Sequence, residues 1–167
     1  IVKMTGDGMH AVFVAPRDAG AAALQLQQAL GDSSGTSGVA LRVRCGMHLG
    51  AEEQRDNDFF GPAVNRAARI MGAAQGGQVL VSHAIAERLR EDCPPQVALR
   101  DLGQVRLRDL ASPERVYQVL HPGLRHDFPA LRSLEATPNN LPQQVTSLIG
   151  RARELAEARA LLRGSRL

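Results

Sequence analysis

An α+β fold, in which short strands alternate with helices, is predicted by three observations along this 167-residue chain. Two helical stretches each open on a proline and close on glycine, at Pro16 and Gly31 and again at Pro62 and Gly76-Gly77, which is where helices favour those residues. Between them Leu41, Val43, Cys45, Met47 and Leu49 alternate with Arg42, Arg44, Gly46, His48 and Gly50. That period of two marks a strand with one buried face. At the start, Gly6-Asp7-Gly8 separates the apolar runs 1–4 and 9–14, the turn chemistry of a β-hairpin.

Taken in order, the hairpin fills 1–14. A first helix follows from Pro16, with Ala19, Ala22, Ala23, Leu26 and Leu30 at helical spacing, and the Gly/Ser-rich stretch 31–38 is a loop. After the 41–50 strand, a polar turn through Asp56 and Asp58 leads to the Pro62 helix, which turns Val64, Ala67, Ala68 and Met71 inward. A strand at 78–81 and a short helix at 82–91 precede the break at Pro94-Pro95, and apolar alternation over 97–110 and 116–120 predicts two or three closing strands. From 122 to 147 Pro, Asn, Gln and Ser dominate without periodicity, which reads as a linker. Leu155, Ala158, Leu161 and Leu162 then predict the first helix of a further segment, 148–167. The core domain is expected at 1–121.

Composition narrows the function classes. With 44% hydrophobic and 22% charged residues, the chain can bury a core. Aromatic residues make up only 3%, with no Trp and one Tyr, which argues against a stacking platform for single-stranded nucleic acid. The balance of 20 basic against 17 acidic residues is interleaved and biases the surface mildly towards anionic ligands. Cys45 and Cys93 lie far apart without a CxxC pair, so neither a zinc site nor a disulfide framework is indicated. Reduced thiols, no apolar run of membrane-spanning length and no signal segment fit a cytoplasmic protein. The chain enters a strand pattern within a few residues of Ile1, and that start reads as a truncation.

The chemistry concentrates in one constellation: Lys3-x-x-Gly6-Asp7-Gly8, then Arg44-x-Gly46, then Asp58-Phe59-Phe60-Gly61-x-x-Val64-Asn65-x-Ala67-Ala68-Arg69. It resembles the class III adenylate and guanylate cyclase family over about 1–121, and the second half is specific because many positions match at fixed spacing. The resemblance implies a ferredoxin-like cyclase core, here lacking its first strand and helices, that works as a dimer with sites at the interface.

Physical chemistry supports these positions. Asn65 and Arg69 are four apart on a helix and project from one face, so they can address one substrate. By resemblance Asn65 orients the ribose and Arg69 stabilises charge at the transferring phosphate. Removing a preorganised donor of that kind costs on the order of a hundred- to a thousand-fold in turnover. Asp7 matches one of two carboxylates with which the family holds two Mg2+ or Mn2+ ions, hard cations that take oxygen ligands. Its partner Asp lies upstream of the hairpin in the family, so this chain alone is expected to be inactive or nearly so. Adenine presents an amino donor beside a ring-nitrogen acceptor. Asp58 and Lys3 supply the complementary acceptor and donor, and a buried polar mismatch discriminates by about ten-thousand-fold or more, which favours ATP over GTP. Arg44 and Arg108 match positions that hold the triphosphate, Arg108 where the family often has Lys, with a forked geometry in place of a point charge.

Each residue also has an ordinary reading: Asp7 and Asp58 as turn residues, Asn65 and Arg69 as solvated helix positions, Lys3 as an edge-strand charge, Arg42 and Arg44 as a solvent face. One family pattern explains all their spacings together. Downstream, Leu148-Ile149-Gly150-Arg151-x-Arg153-Glu154-Leu155 is similar to the opening helix of signalling NTPases that follow cyclase domains in bacterial regulators, with Ala152 where that pattern has Glu. The expected function is therefore ATP cyclisation to cyclic AMP and pyrophosphate in a homodimer. The alternative is a non-catalytic nucleotide-sensing or dimerisation module that regulates a downstream NTPase.

Overall fold

The computed structural model describes residues 1–31, 41–56 and 58–133. The expected 31–38 loop falls almost wholly outside them, as does the helix at 148–162. By internal packing the chain divides at 137/138, and its second unit, 138–167, lies outside the described residues.

The predicted hairpin forms as β1 (Lys3–Thr5) and β2 (Gly8–His10), paired antiparallel across the Gly6-Asp7 turn. Gly6 has φ +64°, the left-handed region that glycine tolerates without strain. Helix α1 (Pro16–Gly31) carries both predicted boundaries. Its buried positions are Gly20, Leu24 and Gln27. Gln27 is tolerated inside because its buried amide is satisfied, its Nε2 donating to the Val43 carbonyl at 2.8 Å.

The main sheet has four strands in the order β3-β6-β8-β7: β3 (Cys45–Met47), β6 (Val79–Ser82), β8 (Glu114–Leu120) and β7 (Ala98–Val105). Strand β3 runs parallel to β6, and the other two pairings are antiparallel. The 41–50 alternation thus yields a strand of three residues at the edge of this sheet, and Leu41 and Leu49 are exposed at 47% and 39%. An edge strand held on one side has less to bury its apolar face against.

Both faces of the sheet interior are covered. On β6 and β8, Val79, Val81, Tyr117 and Val119 join Leu24 of α1 and Ile85, Ala86 and Leu89 of α3 (His83–Glu91) in one core cluster. The alternate residues Leu80 and Val116 join Ile70, Ala73 and Ala74 in a second, with Val105 and Leu107. The two-residue pleat therefore sorts β6 and β8 between α1/α3 on one side and α2 (Pro62–Ala73) on the other. Ile70 and Ala73 carry the α2 contact, while Ala68, expected inward, is exposed. The predicted polar turn through Asp56 and Asp58 is a second hairpin, β4 (Glu53–Arg55) with β5 (Asp58–Phe60), and Asp58 begins a strand instead of sitting in a turn. Residues 122–133, of linker-like composition, return against the domain. Arg132 N donates to Ala73 O at 3.0 Å, Gln118 Nε2 to His126 O at 2.7 Å, and Leu131 packs on the second cluster. Among the described residues no helix is long and apolar enough to cross a membrane.

Candidate functional site

Helix α2 is the element on which the site depends, and three local features set its position. Gly46 lets it approach β3 closely: a Cβ there would stand 2.6 Å from Met71 Cα and 2.7 Å from Ala67 O, both backbone atoms of α2. At the start of the helix Gly61, with φ +138°, leaves room for Glu52, whose carboxylate a Cβ at Gly61 would strike. Glu52 Oε1 accepts from the backbone N–H of Ala63 and from that of Val64 at 3.1 Å. This caps two otherwise unpaired donors and sets a negative charge against the positive end of the helix dipole. Its other oxygen, Oε2, is buried without a hydrogen-bond partner.

From α2 the side chains of Asn65, exposed, and Arg69, half-buried, project one turn apart. Arg69 Nη2 forms an ion pair with Asp109 Oδ2 at 2.8 Å, and its Nε is buried without a partner. Arg66, on the same helix, pairs with Glu114 at 3.4 Å.

Strand β5 runs into α2 through Gly61 and carries Asp58 at its start. Lys3 of β1 donates to Asp58 Oδ2 as a hydrogen-bonded ion pair, so two residues 55 apart in sequence meet side by side. The Lys3 ammonium also lies 5.3 Å from the Phe60 ring centroid, and the Phe59 amide donates to Asp58 Oδ1 at 2.8 Å. The Lys3 hydrogen bond is the main cause holding the Asp58 carboxyl below its ordinary range. Desolvation opposes it, while the Phe59 amide and the charges of Lys3 and His10 add to it. His10, opposite Lys3 in the hairpin register, is a neighbour that the sequence pattern did not single out.

The other expected residues stand apart. Asp7 is exposed in the hairpin turn, and among the described residues no group of three or more His, Cys, Asp or Glu could hold a metal ion. Arg44 is exposed just before β3, and Arg108 is exposed in the turn after β7, next to Asp109. Neither Glu52 nor Asp109 carries a signal in the sequence pattern. Each is a lone carboxylate whose importance comes from the helix it meets in the fold. Nearby, His48 Nδ1 lies 2.8 Å from Ser82 Oγ. Burial is the main cause lowering the His48 pKa, the Arg66 charge adds to it, and Glu114 and Glu52 pull the other way.

The mixed sheet with helices on both faces matches the fold of solved nucleotide cyclase domains. The chain belongs to the family described as adenylate and guanylate cyclase catalytic domain, whose model matches residues 2–121. It is 38% identical over 157 residues to an uncharacterized protein of Mycobacterium tuberculosis, covering 93% of this chain and 53% of that protein. The chain thus spans about half the length of the curated relatives it matches first. A receptor-type adenylate cyclase of Trypanosoma brucei brucei is 37% identical over 99 residues, covering 55% of this chain and 8% of that protein. Among solved structures, an adenylate/guanylate cyclase/hydrolase from Silicibacter pomeroyi superposes with a TM-score of 0.61 at 32% identity, covering 72% of each chain.

Proposed function

We propose that this domain is an adenylate-selective cyclase that converts ATP to cyclic AMP and pyrophosphate at a dimer interface, as part of a cytoplasmic signalling protein. The observation that carries the proposal is the Lys3–Asp58 pair. An ammonium donor and a carboxylate acceptor side by side complement the ring nitrogen and amino group of adenine, whereas guanine would set its carbonyl oxygen against Asp58. At neutral pH the Asp58 carboxylate is ionised and only accepts, and its hydrogen bond from Lys3 favours that charged form further.

In this reading Lys3 and Asp58 seat the base, Asn65 orients the ribose so that its hydroxyl lies in line with the α-phosphate, and Arg69 meets the charge that builds there as pyrophosphate departs. Arg44 and Arg108 are the proposed triphosphate contacts. A lone Asp7 does not make a two-ion site, and divalent magnesium or manganese needs carboxylate oxygen beyond what the described residues bring together. Dimerisation would let one protomer give Asp7 and the other Lys3, Asp58, Asn65 and Arg69. Exposed Met4, Met9, Phe13 and Phe60 on and beside the two hairpins support such an interface.

The test is product analysis of the protein expressed from its complete open reading frame, with manganese or magnesium and either ATP or GTP. Cyclic AMP formed in preference to cyclic GMP supports the proposal. A folded dimer that forms neither product sinks it.

A further inference from the structure

Arg69, the residue assigned to phosphate, is already holding an anion. Its Nη2 sits 2.8 Å from Asp109 Oδ2, yet its Nε has no partner although it is buried. A guanidinium binds a carboxylate best through two parallel N–H bonds. This pair uses one and leaves a donor unmet, a geometry that a ligand with several oxygens would improve.

Asp109 lies in an exposed turn at φ 60°, left-handed backbone that is sparsely populated outside glycine. The turn hinges on Leu107, which is anchored in the second core cluster, and Leu110 N donates to Leu107 O at 3.4 Å. On either side of that anchor Arg106 and Arg108 are exposed, and among the described residues no ion pair to either is recorded. Arg66, the nearest basic neighbour on α2, is matched by Glu114. Asp109 is therefore the carboxylate that meets Arg69, carried on a turn between exposed arginines and the strand whose Glu114 pairs with Arg66.

We propose that Asp109 is a phosphate placeholder: it holds Arg69 in the nucleotide-free state and is displaced by the polyphosphate of the substrate. The idea rests on the reading of Arg69 as a phosphate ligand. Its consequence is a conformational toll on binding, since apparent affinity is reduced by the fraction of molecules in which Arg69 is free. Both side chains are substantially exposed, at 36% and 59%, so the pair is a weak one. Freeing Arg69 should gain roughly two- to fivefold in polyphosphate affinity.

Two measurements test this on the full chain. In the first, unfolding of wild type, Arg69→Ala, Asp109→Ala and the double variant is compared without ligand. A coupling worth roughly a two- to fivefold change in the unfolding equilibrium is expected, and additive effects overturn the placeholder while leaving the cyclase reading intact. In the second, calorimetry follows inorganic tripolyphosphate and a non-cyclisable ATP analogue. Asp109→Asn should tighten tripolyphosphate binding by roughly two- to fivefold, and Arg69→Ala should erase that gain. Unchanged or weaker binding by Asp109→Asn, with wild type binding normally, overturns the placeholder alone. Failure of folded wild type and Asp109→Asn to bind either anion overturns the cyclase reading, and the placeholder with it.

Discussion

Two glycine-to-alanine substitutions, one on α2 and one on the strand beneath it, should have opposite signs. At Gly46 an added Cβ would meet Ala67 O at 2.7 Å and Met71 Cα at 2.6 Å, where carbon contacts normally settle at about 3.5–4.0 Å. The obstacles are helix backbone and cannot rotate away, so α2 must retreat by about 1 Å. Overpacking of this kind costs roughly 1–3 kcal/mol, and the backbone obstruction places Gly46→Ala in the upper half of that range. Gly72, within α2, has nothing within 4 Å of its added Cβ. There the gain in helix propensity should stabilise by about 0.5–1 kcal/mol. Urea unfolding followed by circular dichroism measures both. A loss of about 2 kcal/mol moves the midpoint down by roughly 1 M for an m-value of ~2 kcal/mol/M. For the proposed cyclase activity, a 1 Å displacement of Asn65 and Arg69 should also cost on the order of a hundred-fold in kcat/KM. Gly46→Ala as stable as wild type, or less costly than Gly72→Ala, would refute the close-approach argument.

Three further outcomes are expected. Glu52→Ala removes the acceptor for the Ala63 and Val64 amides and should cost roughly 1–2 kcal/mol in the same unfolding assay. Asp58→Asn turns a pure acceptor into a group that also donates, so the ATP:GTP ratio of kcat/KM should fall by about tenfold or more; an unchanged ratio removes Asp58 from base selection. His48 has a pKa lowered from 6.5 in the folded state, so below that pH the unfolded chain takes up a proton that the native site resists. Stability should therefore begin to fall as pH drops through 6.5 and level off below the folded pKa, and His48→Gln should flatten that segment. The Asp58 contribution has the depressed-carboxylate sign and is lost only as pH falls below its ordinary value of 3.8.

How much of this was legible beforehand depended on how local each signal was. The bounds of α1 follow from Pro16 and Gly31, and the first hairpin from Gly6-Asp7-Gly8, because those residues act on their own backbone. The 53–55 strand was invisible, since Glu53, Gln54 and Arg55 are all exposed and leave no apolar period. Alternation through 41–50 predicts a long half-buried strand, because a period of two does not distinguish an edge from an interior position. On α2, Ala68 and Ile70 cannot be ranked for burial without knowing which way the sheet lies. Within the candidate site, Lys3, Asp58, Asn65 and Arg69 were found through the family pattern, and the structure pairs the first two. Glu52 and Asp109 escaped because a single carboxylate has no period and no motif.

The two missed carboxylates act on the same helix in different ways. Glu52 and the space at Gly46 fix the α2 backbone, so they place Asn65 and Arg69 together. Asp109 acts only on the tip of Arg69 and leaves Asn65 where the helix puts it. Disturbing the backbone constraints should therefore damage ribose and phosphate handling in parallel, lowering kcat while raising KM. Relieving Asp109 should lower KM for the polyphosphate with little change in kcat, because the transition-state contact of Arg69 is the same once the placeholder has left. A base-site change at Asp58 adds a third pattern, visible only in the comparison of ATP with GTP. Steady-state kinetics on Gly46→Ala, Asp109→Asn and Asp58→Asn therefore separates three roles that a single activity value would merge. The same kinetic pattern from Gly46→Ala and Asp109→Asn would mean that Asp109 holds the helix and not the side chain.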